Sequence, residues 1–218
     1  MEIVIATHKH IKYAHIISET IDKSAQERGT GIAKRTPEYI EAKIKNGNAV
    51  IALEEGKFAG FCYIEVFDQK NYVVHSGLIV HPDFRNQGLA KKIKSKIFNY
   101  SQEKFPDAKI FGITTGLAVM KINYELGYKP VTFSELTNDP EFWKGCQTCR
   151  NYDVLQRTNQ IMCLCTGMLY DGKGNGRKKH PYDSKILSRL KRIKQNLFLK
   201  KGDKKNNKSD NNQGPDNN

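Results

Sequence analysis

The segment Gly77–Ile93, GLIVHPDFRNQGLAKKI, constrains the fold more than any other part of the chain. An apolar run reads as a buried strand, His81-Pro82 ends it, and Arg85-x-x-Gly88-x-Ala90 opens a helix. That helix carries Leu89, Ile93 and Ile97 on one face and lysines on the other. Gly88 and the small Ala90 let a diphosphate come close to the backbone. The unpaired amides of a helix start then face the anion, aided by the helix dipole, and Arg85 adds a full positive charge at the rim. The same residues equally suit a plain strand–turn–helix with a glycine at the turn, so the rest of the chain has to decide.

Upstream, EIVIA predicts a first strand, and Ile11, Ala14, Ile17 and Ile21 recur at helical spacing between His8 and about Glu27. The stretch Arg28–Ile40, RGTGIAKRTPEYI, joins this helix to a second. Thr36 offers the N-cap there, Pro37 the first helical position and Glu38 a first-turn acid, while Gly47 ends the helix. AVIALEEGKFAGFCYIEVF predicts two strands around a tight turn, and NYVVHSGLIV a third in series. Beyond the central helix, AKIFGITT predicts a strand, LAVMKINYEL a short helix closed by Gly127, and CLCTGMLYD a last strand. Strands in a meander followed by strand–helix alternation imply a mixed α/β sheet.

The net charge of +13 is unevenly placed. From Asp171 onward there are 14 Lys and Arg against 5 Asp and Glu, which divides the chain into a body over 1–171 and a basic tail over 172–218. Within the tail, Ile186, Leu190, Ile193 and Leu197 share a helical face among cations, a pattern that suits docking on the body or on an anionic partner. The polar run that follows predicts disorder. No apolar run approaches the roughly 20 residues of a membrane span, and the N-terminal apolar stretch is too short for a secretory signal. The expected setting is cytoplasmic and reducing, where five cysteines argue against a disulfide framework.

Taken with its flanks, the central segment resembles the coenzyme A pyrophosphate loop, R/Q-x-x-G-x-G/A, of the GNAT acyltransferases. IFGITTGLAVMKINYELGYKP is similar to the second cofactor motif of that family, ending in Tyr124, Gly127 and Tyr128. The resemblance implies the GNAT fold, a mostly antiparallel mixed sheet with splayed central parallel strands and flanking helices. It further implies that the backbone at Leu78, Ile79 and Val80 binds the pantetheine arm. The amides of Arg85, Asn86, Gln87, Gly88, Leu89 and Ala90 would hold the pyrophosphate, and Tyr124 would protonate the departing thiolate. One departure stands out: Leu117 occupies a position, seven residues before Tyr124, where many members have asparagine.

Amine attack on a thioester needs a base, because a free amine near neutral pH is mostly ammonium. His75 and Glu65, on adjacent strands, are the candidates, and strand alternation decides which of them faces the cleft. RGTGIAKR resembles the acceptor region of N-acetylglutamate synthases, and with FWKGCQTC and CLCTGMLYD it resembles a Bacteroidetes group of the family tied to arginine biosynthesis. These likenesses imply acetyl-CoA or succinyl-CoA as donor and glutamate as acceptor, with Arg28, Lys34 and Arg35 reading its carboxylates. Another small amine, a protein N-terminus, or a non-catalytic GNAT-like binding module are the competing readings, and a homodimer is open. Finally, Cys146, Cys149, Cys163 and Cys165 form C-x2-C-x13-C-x-C, a spacing suited to structural zinc if the second pair shares a strand face. Small buried thiols and a redox pair are the other readings of that pattern.

Overall fold

The computed structural model describes residues 1–28 and 33–172; the expected basic tail and Gly29–Ile32 lie outside the described residues. Seven strands form one sheet in the order β1-β2-β3-β4-β5-β7-β6. They are β1 (Glu2–Ile5), β2 (Ala49–Glu54), β3 (Lys57–Phe67), β4 (Tyr72–Val80), β5 (Lys109–Thr114), β6 (Lys129–Val131) and β7 (Thr166–Tyr170). All neighbours are antiparallel except β4 and β5. Among the described residues six α-helices surround the sheet: α1 (Ala14–Arg28), α2 (Pro37–Lys45), α3 (Leu89–Lys104), α4 (Leu117–Glu125), α5 (Pro140–Lys144) and α6 (Tyr152–Arg157).

Alternation along the strands sorts the apolar residues to two faces. Cys62, Ile64, Val73 and Ile110 pack with Leu89, Ile93 and Ile97 of α3. Phe61, Tyr63, Ile51 and Ile79 pack with Ile17 and Ile21 of α1 and Ile40 and Ile44 of α2. A third cluster, Val74, Phe111, Phe133, Phe142, Trp143 and Leu155, lies under the chain between β6 and β7.

Local signals locate most boundaries. The Thr36 hydroxyl accepts from the Tyr39 amide at 3.3 Å, capping α2, and Pro37 is its first residue. The predicted first helix is shorter than its periodicity: His8–Tyr13 is a 3₁₀ turn and α1 proper begins at Ala14. CLCTGMLYD also departs from expectation, because β7 starts only at Thr166, leaving Cys163 and Cys165 in the loop before it.

Two features of β4 create the site. Its parallel pairing with β5 covers only Tyr72↔Lys109, Val73↔Ile110 and Val74↔Phe111, after which the strands part. Beyond this point β4 bulges: Phe61 pairs with Ile79 but Tyr63 pairs with Ser76, so Gly77 and Leu78 face a single residue of β3. Gly77 has φ +62, and a Cβ there would sit 2.3 Å from Cε1 of Tyr63. Only glycine permits both the turn and the close approach of that ring.

Candidate active site

Where β4 and β5 part, a cavity of about 460 Å³ opens through the sheet. Its walls include His75–Ile79 of β4, Gly112–Gly116 after β5, Val119 and Asn123 of α4, and Lys94 of α3. On the other side stand Arg35, Tyr63 and Glu65, with Cys146, Cys149, Cys163 and Cys165 from the chain preceding β7.

Arg35 and Glu65 meet there through two tyrosines. The Arg35 Nε donates to the Tyr63 hydroxyl at 2.6 Å, and one Nη donates to the Lys34 carbonyl at 2.9 Å. The Tyr39 hydroxyl donates to Glu65 Oε1 in a short bond, and Lys43 Nζ is 3.4 Å from the same oxygen. The Arg35 guanidinium also lies 5.2 Å from the Tyr39 ring centre. Burial works to lower the Arg35 pKa, but Tyr63, Tyr39 and Glu65 outweigh it and the net shift is upward. Burial, reinforced by Glu65, pushes the Tyr63 phenol up to about 12, and burial with Tyr63 and Glu65 raises Tyr39 further. Both phenols are therefore neutral scaffolds between a fixed cation and a carboxylate.

Both candidate bases line the cavity, and the strand phase turns their side chains to opposite faces. With Phe61 and Tyr63, Glu65 lies on the α1–α2 face, whereas the His75 ring turns to α3. His75 Nε2 is 2.9 Å from Ser101 Oγ and Nδ1 is 2.9 Å from the Tyr128 hydroxyl. Ser101 Oγ in turn donates to the Ile97 carbonyl at 2.8 Å. Both ring nitrogens are thus engaged, and burial followed by the Lys94 charge holds the imidazole pKa well below its ordinary value. His75 is a buried, neutral histidine with a partner at each ring nitrogen.

The segment before α3, the candidate anion loop, is a glycine-bearing turn into a helix. A 3₁₀ turn at Pro82–Phe84 leads to Asn86 with φ +63 and Gly88 with φ +72, and α3 starts at Leu89. Left-handed residues at this position turn successive amides toward one side, and the first-turn N–H groups of Leu89 and Ala90 have no intrahelical acceptor. Nothing lies within 4 Å of a Cβ added at Gly88, so glycine serves the φ value and open access. Arg85 behaves differently from a free rim charge. Its guanidinium donates to Val80 O, Ser24 Oγ and Glu27 Oε2 at 3.3, 3.0 and 3.4 Å, tying the loop to β4 and α1.

Other expected residues fall outside the cavity. Of the loop cations whose side chains are described, Arg35 lines it and Lys34 is exposed; the Arg28 side chain lies outside the described residues. Tyr124 is 71% exposed in a shallow depression with Met120, Pro130 and Met168, while its neighbour Asn123 faces the cavity. Leu117 is 64% exposed at the start of α4.

The four cysteines share one wall, yet among the described residues no group of three or more His, Cys, Asp or Glu side chains is arranged to hold a metal ion. The zinc expectation therefore finds no support among the described residues. It required Cys163 and Cys165 on one strand face, and both precede β7. Cys149 Sγ instead accepts from the Asn151 amide at 3.4 Å, and Cys163 Sγ donates to the Asn151 carbonyl at 3.8 Å. Cys146 and Cys165 pack against the third apolar cluster, where burial and the neighbouring thiols push them up to about 11 and about 12. Sequence reasoning missed Tyr39, Tyr63 and Lys43, which orient Arg35 and Glu65. Thr36 capping, which places Tyr39 and Lys43 one turn apart on α2, was the available signal.

The sequence model of the acetyltransferase (GNAT) family matches residues 18–115. The sheet and helices of this chain have the α/β fold of that family. Its match spans α1 through β5, including the bulge and the anion loop. Solved structures extend the likeness of fold. N-acetylglutamate synthase from Neisseria gonorrhoeae, complexed with coenzyme A and N-acetyl-glutamate, is 18% identical with a TM-score of 0.54; the alignment covers 77% of this chain and 34% of that one. The chain therefore spans about a third of that synthase. Rv2747 from Mycobacterium tuberculosis, in complex with CoA, is 13% identical with a TM-score of 0.58, covering 78% of this chain and 99% of that one. Ribosomal-protein-alanine N-acetyltransferase from Brucella melitensis is 13% identical at 0.52, covering 78% and 99%. No curated protein matches the sequence. Among the described residues no helix is long and apolar enough to cross a membrane.

Proposed function

We propose that this GNAT domain transfers an acyl group from a coenzyme A thioester to the α-amine of a small acidic amino acid, glutamate being the acceptor of choice. One observation carries this: a fixed guanidinium and a carboxylate, Arg35 and Glu65, face the same cavity from the side opposite the α3 loop. An amino acid with a second carboxylate presents an anion for Arg35 and an ammonium for Glu65 in one molecule. The likeness of fold to an N-acetylglutamate synthase supports the same acceptor, and with it the entry step of arginine biosynthesis as the setting.

The protein's groups divide the work. The loop Arg85–Ala90 and the backbone of Leu78–Val80 position the donor, converting a two-molecule encounter into an oriented one. The contacts of Glu65 both fall on Oε1, which leaves Oε2 to take the amine proton directly or through one water. As nitrogen bonds to the thioester carbon, the amide of Leu78, freed from the ladder by the bulge, donates to the developing oxyanion. The carbon–sulfur bond then breaks, and the departing sulfur takes up a proton from water.

A panel of acetyl-CoA and succinyl-CoA against glutamate, aspartate, other amino acids and an alanine-terminated peptide, read by thiol release, tests the reading. Turnover with glutamate above the other acceptors is expected. Arg35→Ala is expected to raise the KM for glutamate about tenfold or more, with a far smaller change for the donor, as suits loss of a charged hydrogen bond. No turnover with glutamate under either donor ends the acceptor assignment.

A further inference from the structure

Helix α3 departs from its own amphipathic pattern at one position. Lys91, Lys92 and Lys96 are exposed, but Lys94 is 2% exposed and lines the cavity. Its ammonium lies 5.3 Å from the Tyr128 ring centre and beside Cys62 and His75. None of these is an anion. Burial pushes the Cys62 thiol up to about 11, and His75 is neutral. Among the described residues Lys94 has no hydrogen bond and no ion pair. Burial brings its pKa down to about 8, which leaves it largely charged at neutral pH. A buried cation without a counter-charge is costly to a fold, and an apolar side chain would serve the core better. The ammonium is therefore matched to something that enters the cavity.

Its level in the cavity says which part of a ligand it meets. Cys62 Sγ donates to the Ser76 carbonyl at 3.4 Å, so Lys94, beside Cys62 and His75, lies on the far side of the Gly77–Leu78 bulge from the anion loop. There the β4–β5 pairing at Val74↔Phe111 closes the split. A thioester held by the loop and by Leu78–Val80 directs its acyl chain toward this closed end. A second buried group faces the same space. Asn123 is 1% exposed, lines the cavity, and its Oδ1 has no partner. The two amide N–H groups of a pantetheine arm are donors of the kind this oxygen lacks, and the arm's acyl end is left for Lys94.

The geometry points to Lys94 as the residue that selects the acyl donor, favouring coenzyme A thioesters whose acyl chain ends in a carboxylate. The inference rests on the coenzyme A reading above and adds the donor class to it. The bond changes remain those of N-acyl transfer; the terminal carboxylate takes no part in them and only pairs with the ammonium. A methyl-ended acyl chain offers Lys94 no charge, so the two donors differ by one charge-assisted contact.

The test is calorimetric titration of the full chain with coenzyme A, acetyl-CoA and succinyl-CoA, alongside Lys94→Met. The wild type is expected to bind succinyl-CoA about tenfold or more tighter than acetyl-CoA, and Lys94→Met to collapse that difference. Thermal unfolding checks that the variant folds, and the wild-type comparison needs no variant at all. Equal affinity for the two donors in the wild type overturns the assignment of Lys94 while leaving the coenzyme A reading intact. So does a preference for succinyl-CoA that survives Lys94→Met. Failure to bind any of the three overturns both.

Discussion

His75 shows how much a single residue's meaning depends on which side of a strand it faces. A histidine on the cofactor strand invites the role of base, yet this one sits between Ser101 and Tyr128 with both nitrogens engaged. Its depressed pKa has a consequence for stability. In the folded protein the ring stays neutral well below its ordinary value, while in the unfolded chain it takes up a proton near pH 6.5. The unfolded state therefore binds more protons on acidification. The contribution is fully present above about pH 6.5 and is lost as pH falls below it, by at most about 1.4 kcal/mol per pH unit for one proton. Denaturant unfolding across pH 4.5–7.5 is expected to show a shallower acid slope in His75→Gln than in the wild type. Identical slopes would mean that the histidine titrates freely. Residue identity alone could name His75 and Glu65 as candidates, but not choose between them, because chemistry is local and orientation is not.

At the level of elements, most of what was legible came from signals that act within one turn or one strand. The Thr36 cap, the Pro37 start and the turn around Gly56 need only near neighbours, and the structure has each of them in place. The bulge in β4 was not legible, since NYVVHSGLIV reads as an unbroken strand. It exists because Tyr63 of β3 covers Gly77, a contact across strands. Two glycines with similar φ therefore predict different outcomes. Gly77→Ala brings a left-handed alanine and a clash with the Tyr63 ring, and is expected to cost about 1–3 kcal/mol or more. It also displaces the partner of Arg35, weakening acceptor affinity. Gly88→Ala meets open space and is expected to cost the backbone strain alone while weakening coenzyme A. Thermal melts and separate donor and acceptor titrations check the contrast, and equal losses from both variants would refute it.

On the scale of the whole molecule, function depends on a gap. The central pair of strands is bonded over three residue pairs and then separates, and the cavity passes between α3 on one face and the Arg35–Glu65 pair on the other. In the proposed reaction a donor and an acceptor would enter from opposite faces and meet at the bulge without competing for the same mouth. Among the described residues, all that line the cavity precede Asp171. Removal of 173–218 is accordingly expected to leave the KM for donor and acceptor unchanged, measured by thiol release; a loss of turnover would assign the basic tail a part in the reaction.

The amino-acid sequence by itself determined the layered α/β architecture, the left-handed glycine before α3 and the capped entry to α2. These follow from hydrophobic periodicity and from backbone preferences that operate over a few residues. Only the tertiary structure decided that Glu65 and His75 turn to opposite faces of the sheet, that Arg35 alone of the loop cations whose side chains are described reaches the cavity, and that Cys163 and Cys165 stand off the strand. It also decided that one lysine of a basic helix is buried. Each of these turns on strand register and on contacts between segments distant in sequence, where a shift of one residue exchanges the two faces of a sheet.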